Sequence, residues 1–299
     1  MEQYVGELAA VATACCWSFG SLMFTFAGRR VGSYTVNNTR LWLAFLFLLV
    51  LHWLMFGLLY PVDAAGYRFL WLGLSGLVGY VFGDGMLFEA FVRIGPRLSM
   101  LLMTLVPVIG AFLGWLVLGE ALRPVEWLAI AVTLTGIALV VSDRRNGSAF
   151  APGQKWSGVL FGIGGAVGQA GGLLLAKLGL DGGFSAVSAN LIRVSTAALA
   201  MGFLVGVRGH LPMQWRRLAD RPALALITGA SLLGPVLGVI LSLVAIANAP
   251  IGIAATLMSL SPVLLLPLSR WFFHETITAR AVGGTLVALG GAALFFLFE

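Results

Sequence analysis

Residues 103–139 read MTLVPVIGAFLGWLVLGEALRPVEWLAIAVTLTGIAL, and residues 258–294 read MSLSPVLLLPLSRWFFHETITARAVGGTLVALGGAAL. A constant offset of 155 ties Met103 to Met258, Leu105 to Leu260, Pro107 to Pro262, Val108 to Val263, Glu120 to Glu275 and Gly136 to Gly291. On an apolar background some apolar matches arise by chance. Pro, Glu and Gly at one fixed offset are much harder to produce that way. The chain therefore reads as two similar halves.

The rest of the chain is as apolar as the repeat. Of its 299 residues, 60% are hydrophobic and 10% charged, against roughly a quarter charged in a soluble domain. No soluble fold covers that much apolar surface, so the lipid bilayer is the solvent. The formal charge is +6, but the basic residues sit in short connections between apolar runs, as orientation signals do. No basic patch with interleaved aromatics is free for phosphates, which excludes nucleic acid as a partner. Cys15 and Cys16 are adjacent inside the first apolar run and match no disulfide, metal or redox spacing. No metal and no cofactor is expected. The first run is as long as a span and lacks a basic leader, so it reads as a membrane helix rather than a cleaved signal.

A span needs about 20 apolar residues. Ten runs qualify: 5–27, 35–57, 68–92, 98–118, 124–142, 157–177, 185–206, 222–247, 252–272 and 278–297. The polar stretch between the fifth and sixth runs is the natural linker, which divides the chain into a five-helix repeat 1–142, a linker 143–156 and a second five-helix repeat 157–299. Five is odd, so two halves of one fold must enter the membrane from opposite faces. The expected architecture is an all-α integral membrane protein of ten transmembrane helices in two inverted repeats, with a site near the midplane between them.

Of the 18 Lys and Arg residues, all but Arg68, Arg123, Lys177 and Arg193 fall on one set of connections and adjoining helix ends. The positive-inside rule places that set in the cytoplasm and both termini outside.

The third run is the most unusual, GLSGLVGYVFGDGMLFEAF, with Asp84 deep in it between Gly83 and Gly85. A charge at that depth faces a cavity or a partner. Asp84 reads either as a proton or substrate-amine site or as a structural hydrogen-bonding group, and a nearby Arg would favour the second. Tyr80 lies one turn back on the same face. Glu89 points about 140° away from Asp84 and is placed to pair with Arg93. Glu120 and Glu275 end their helices and read as turn organisers or partners of arginines. Trp17 and Ser18 lie midway along the first run, and Gln169 midway along the sixth. The set taken to face substrate is Trp17, Ser18, Tyr80, Asp84, Met103, Gln169 and Met258, with helix packing the alternative for each. Pro107 and Pro262 read as paired hinges. Arg40 and Arg193 read as snorkelling cations or substrate contacts, Asn38 and Asn190 as caps, and Trp42, Trp53, Trp71, Trp115, Trp127, Trp156 and Trp271 as interfacial belts.

The paired Pro107…Glu120 and Pro262…Glu275, the G-x-A-L endings and the five-plus-five layout resemble the drug/metabolite transporter superfamily, in particular its ten-helix EamA-type members. The resemblance spans nearly the whole chain. It implies a central cavity lined by helices 1, 3, 4, 6, 8 and 9, and a relationship to exporters of amino acids and other metabolites. Relatives are usually described with cytoplasmic termini, opposite to the charge bias here. The expected function is export of small metabolites, neutral, hydrophobic or aromatic amino acids in the first instance, by alternating access from a bacterial-type inner membrane. The expected partners are a small-molecule substrate, membrane lipid and, if Asp84 titrates, protons; a monomer suffices. Proton antiport and facilitated movement both stay open, and a flippase-like lipid translocator is the alternative. The three histidines are scattered, so no intramembrane enzyme is indicated, and no nucleotide-binding motif is present for ATP drive.

Overall fold

The computed structural model describes residues 4–119, 121–143, 154–182, 184–249 and 251–297. Glu120, Arg144, Arg145 and most of the linker lie outside the described residues.

Among the described residues ten long helices are found, each within a few residues of an apolar run. They are α1 (Val5–Val31), α2 (Ser33–Phe56), α3 (66–94), α4 (96–118), α5 (Pro124–Val141), α6 (Gln154–Gly179), α7 (Ala186–Val207), α8 (221–248), α9 (251–273) and α10 (Ala279–Leu297). Among the described residues eight helices are long and apolar enough to cross a bilayer unaided, and Leu105–Val117 and Ala279–Leu294 are shorter apolar stretches. The preceding turns at 96–102 extend α4 to about 34 Å, at 1.5 Å per residue. A short helix, Leu211–Leu218, occupies the polar connection before α8. It is too polar and too short to register as a span.

Sequence chemistry sets the breaks inside the helices. Gly95 adopts φ 77°, ψ 168° between α3 and α4, a backbone state open to glycine. Pro107 has no N–H for the Met103 carbonyl four residues back, and Met103 O accepts instead from Val106 N at 3.0 Å. Pro262 stands in the same relation to Met258, and α9 is interrupted between Ile251–Met258 and Ser261–Phe273. Both third helices also widen into a π-helical stretch, Leu77–Gly83 in α3 and Leu232–Gly238 in α8. The two stretches are 155 residues apart, the offset of the sequence repeat.

Packing between the halves is reciprocal. α1 packs on α8 and α9 of the second half, and α6 packs on α3 and α4 of the first; α2 pairs with α7, and α5 with α10. The α5–α10 seam shows the symmetry at atomic scale. A Cβ on Gly136 would lie 2.2 Å from Ala288 N, and one on Gly291 would lie 2.4 Å from Thr133 N. Positions 136 and 133 become 291 and 288 when 155 is added, so each contact is the image of the other. Small residues let these backbones touch, as membrane helices require in the absence of a hydrophobic drive. Buried apolar clusters lie between α3–α4 and α5, α6, α10, between α1, α3 and α8, and between α2 and α7.

Candidate functional site

A cavity of about 360 Å³ lies where the halves meet. It is walled by α1, α2, α3, α4, α6, α7 and α8, and most of its lining is apolar, with Phe24, Leu87, Phe88, Phe91, Met100 and Met103 prominent.

The polar part of the wall is built around Asp84. Glycines bring the helices close enough to assemble it. A Cβ on Gly168 would fall 2.4 Å from Gly83 Cα, and one on Gly172 would fall 2.8 Å from Gly79 Cα. α6 therefore lies directly on α3, and Gln169 on that contact face donates from Nε2 to Asp84 Oδ1. From α2, Arg40 Nη2 donates to Asp84 Oδ2. Arg40 also donates to Asn37 Oδ1 at 3.1 Å, and Asn37 Nδ2 donates to the Tyr80 carbonyl at 3.1 Å. That carbonyl belongs to the π-helical stretch, where the wider winding disturbs the backbone ladder. The Tyr80 hydroxyl donates to Asn190 Oδ1 of α7 at 2.6 Å. Asp84 is 6% and Arg40 8% exposed. Leaving either without the other would strand a charge in the interior of a membrane protein.

The structure brings together Trp17, Tyr80, Asp84, Met103 and Gln169 around this cavity. It does not bring Ser18 or Met258 there. Ser18 donates to Ala14 O at 2.7 Å and to Ser261 O at 3.3 Å, which seats it against α9. Met258 is buried among Ala9, Ala10, Ala245 and Ala254. Arg40 does not snorkel, because its partner Asp84 lies inward. Asn38 and Asn190 are not caps: both lie within helices, and the N-cap of α7 is Ser185, whose side chain accepts from Ser188 N. Asn190 belongs to the cavity lining instead, and its only sequence signal is its matched place with Asn38, 152 residues earlier.

Glu89 pairs with Arg93 at 2.8 Å, as the four-residue spacing predicts, and also accepts from Ser33. Glu275 takes the arginine option: Arg97 Nε lies 2.8 Å from Glu275 Oε2, and the Arg97 side chain is 3% exposed. This pair joins α4 of one half to the end of α9 in the other, one turn from cavity-lining Met100. Glu120, its repeat counterpart, lies outside the described residues. A second crevice, of about 460 Å³, is lined by Ser33, Tyr34, Phe82, Glu89, Phe161 and Leu204 among others.

A sequence profile described as the EamA-like transporter family matches the chain twice, over residues 4–142 and 156–297. No curated protein matches it significantly. Sixteen chains of solved structures match. One, described only as "Crystal structure of protein", aligns over 98% of this chain and 96% of its own at 19% identity and a TM-score of 0.54. At that identity the likeness speaks for the fold alone.

Proposed function

The chain belongs to the EamA-like transporter family, which makes it a multi-pass membrane transporter of small molecules, and on that premise we propose that it exports neutral amino acids with apolar or aromatic side chains by alternating access. The observation that carries this reading is the cavity itself. It lies between two reciprocal halves, it falls in the range of about 300–1,000 Å³ common for small-molecule sites, and its lining is apolar and aromatic with a few polar groups gathered on one side. Rocking of one half against the other about the breaks near Pro107 and Pro262 would expose it to the two faces in turn. Both carboxylate oxygens of Asp84 are engaged, one by Arg40 and one by Gln169. That favours facilitated movement over proton antiport, with Asp84 holding the site together. The Lys and Arg bias favours termini facing outward from a bacterial-type inner membrane, and the internal packing of the halves favours a monomer as the working unit.

The test is transport of labelled phenylalanine, leucine, methionine and threonine into liposomes carrying the purified protein, with and without a pH gradient, alongside Asp84→Asn. Flux that ignores the gradient is the expected result. Gradient-driven accumulation that disappears in Asp84→Asn, with exchange intact, would establish proton coupling instead. No flux of any amino acid would sink the substrate class. It would move weight to lipid translocation, for which the 460 Å³ crevice, apolar along Phe82, Phe161 and Leu204 and polar at Ser33 and Glu89, is the supporting observation.

A further inference from the structure

Two arginines occupy the same place in the two halves. Arg40 is the eighth residue of α2, which starts at Ser33, and Arg193 is the eighth of α7, which starts at Ala186. Their electrostatic surroundings differ. Arg40 has Asp84. The position 155 residues after Asp84 is Val239, which lines the cavity and carries no charge. Arg193 makes no hydrogen bond or ion pair among the described residues. Its guanidinium carbon stands 4.6 Å from the centre of the Tyr80 ring, and its Nε is buried without an acceptor. Arginine stays protonated in proteins. The polar side of the cavity therefore has one cation and one carboxylate in its wall, Arg40 and Asp84, and a second cation, Arg193, set against lining Tyr80, where an uncompensated charge is felt strongly.

The unused hydrogen-bonding capacity has the same sign. Asp84 is occupied on both oxygens. Asn190 accepts from the Tyr80 hydroxyl through Oδ1, which leaves its Nδ2 group without a partner among the described residues. Trp17 Nε1 can only donate and makes no hydrogen bond there either. Ser21, the remaining hydroxyl of the lining, already donates to Ser18 O at 2.8 Å. What the wall has left over is mainly N–H, backed by one excess positive charge.

We propose that the cavity recognises its ligand through a single carboxylate, which accepts from Asn190 and Trp17 in the field of Arg193, while the apolar body of the ligand lies against Phe88, Phe91 and Met103. This deepens the amino-acid reading by naming the end of the molecule that is read. The carboxylate is held in preference to the ammonium group, because the charge of Asp84 is already met by Arg40 and each of its oxygens already accepts a hydrogen bond. One excess charge matches a monoanion better than a phosphate dianion, and it disfavours a free amine.

The experiment is calorimetric binding to the protein in lipid nanodiscs with four probes that share a phenyl body: phenylalanine, 3-phenylpropionate, phenylalaninamide and phenethylamine. The two carboxylates are expected to bind, and the amide and amine to bind at least about tenfold more weakly, since the buried donors would lack their acceptor. Val239→Asp supplies the carboxylate missing from the second half. It is expected to weaken 3-phenylpropionate by about tenfold or more, and by more than Val239→Asn does. Arg193→Gln is expected to lose the acid, and Arg193→Lys to retain a measurable part. Equal binding of the amide or amine, undiminished binding of 3-phenylpropionate to Val239→Asp, or no binding of any probe would overturn the proposal. Binding is read separately from flux. Acids that bind while no amino acid is carried would leave the carboxylate site standing and refute only the amino-acid export reading.

Discussion

The crossing of α3 with α6 and the crossing of α8 with α1 are built on one template and finished in opposite ways. Each third helix has its π-helical stretch at the same repeat position, 77–83 and 232–238. In the first crossing glycine meets glycine, at Gly83 with Gly168 and at Gly79 with Gly172, and the seam is closed by the hydrogen bond from Gln169 to Asp84. In the second, Trp17 stands against Gly238, while Gly234, Pro235 and Val239 face the cavity. Symmetry of the backbone therefore does not extend to symmetry of the chemistry. One crossing is the clasp that holds the bundle together, and the other leaves room for a ligand.

The largest break in this comparison should come from the ion pair. Asp84→Leu leaves Arg40 buried without its carboxylate and should cost roughly 3–5 kcal/mol, read as a fall in thermal midpoint in detergent. The double variant Arg40→Leu with Asp84→Leu should recover much of that loss, and a double as unstable as the single would show that the pair is not the source. Second in size is the glycine seam. Gly168→Ala must push α6 off the α3 backbone, at a cost of about 1–3 kcal/mol. Gly234→Ala in the other crossing meets open space and should change stability by less than about 0.5 kcal/mol. Equal melting shifts for the two would erase the distinction between a closed and an open crossing. Third, Glu275→Gln keeps the shape of the link to Arg97 but removes its charge, and should lower stability by about 1–2 kcal/mol. The smallest effect belongs to the rim, where Arg30 holds Asp220 through bonds of 3.0–3.3 Å.

The Arg30 hydrogen bonds, followed by that from Ala223 N, hold the Asp220 carboxyl below the usual carboxylate range. A depressed carboxylate contributes stability that is fully present above the unfolded value, near pH 4, and is lost as pH falls through the lower folded value. Between pH 7 and 5 the parent should therefore melt above Asp220→Asn by a small, constant offset. Only below about pH 4 should the parent lose an increment that the variant lacks. An offset that changes between pH 7 and 5 would assign the effect to another group.

How much of this is legible in the sequence depends on which dimension is asked about. Position along the membrane normal is, because the bilayer demands a length of apolar chain that any reader can measure, and the observed ends of α1 to α10 follow the apolar runs. The repeat is legible because Pro107, Pro262, Gly136 and Gly291 impose backbone behaviour that apolar neighbours do not. Rotation about each helix axis is much less so. Trp17 and Ser18 are about 100° apart on a helix; one faces the cavity and the other faces α9, and nothing in an evenly apolar run says which. Partnership across helices is least visible. Asp84 announces that it needs a partner, but Arg40 lies 44 residues earlier in another helix and looks equally suited to the interface. Asn190 reads as a cap because it sits near a helix start, while the true N-cap, Ser185, lies five residues before it.

The α5–α10 seam has a consequence for assembly. Gly136 touches Ala288 and Gly291 touches Thr133, so the two sides of the seam carry one code read in opposite directions. A surface that complements its own inverted image needs no tether to find a partner. The α5–α10 contact is written into the two halves themselves, at positions 133, 136, 288 and 291, and neither side of it draws on the residues between the halves.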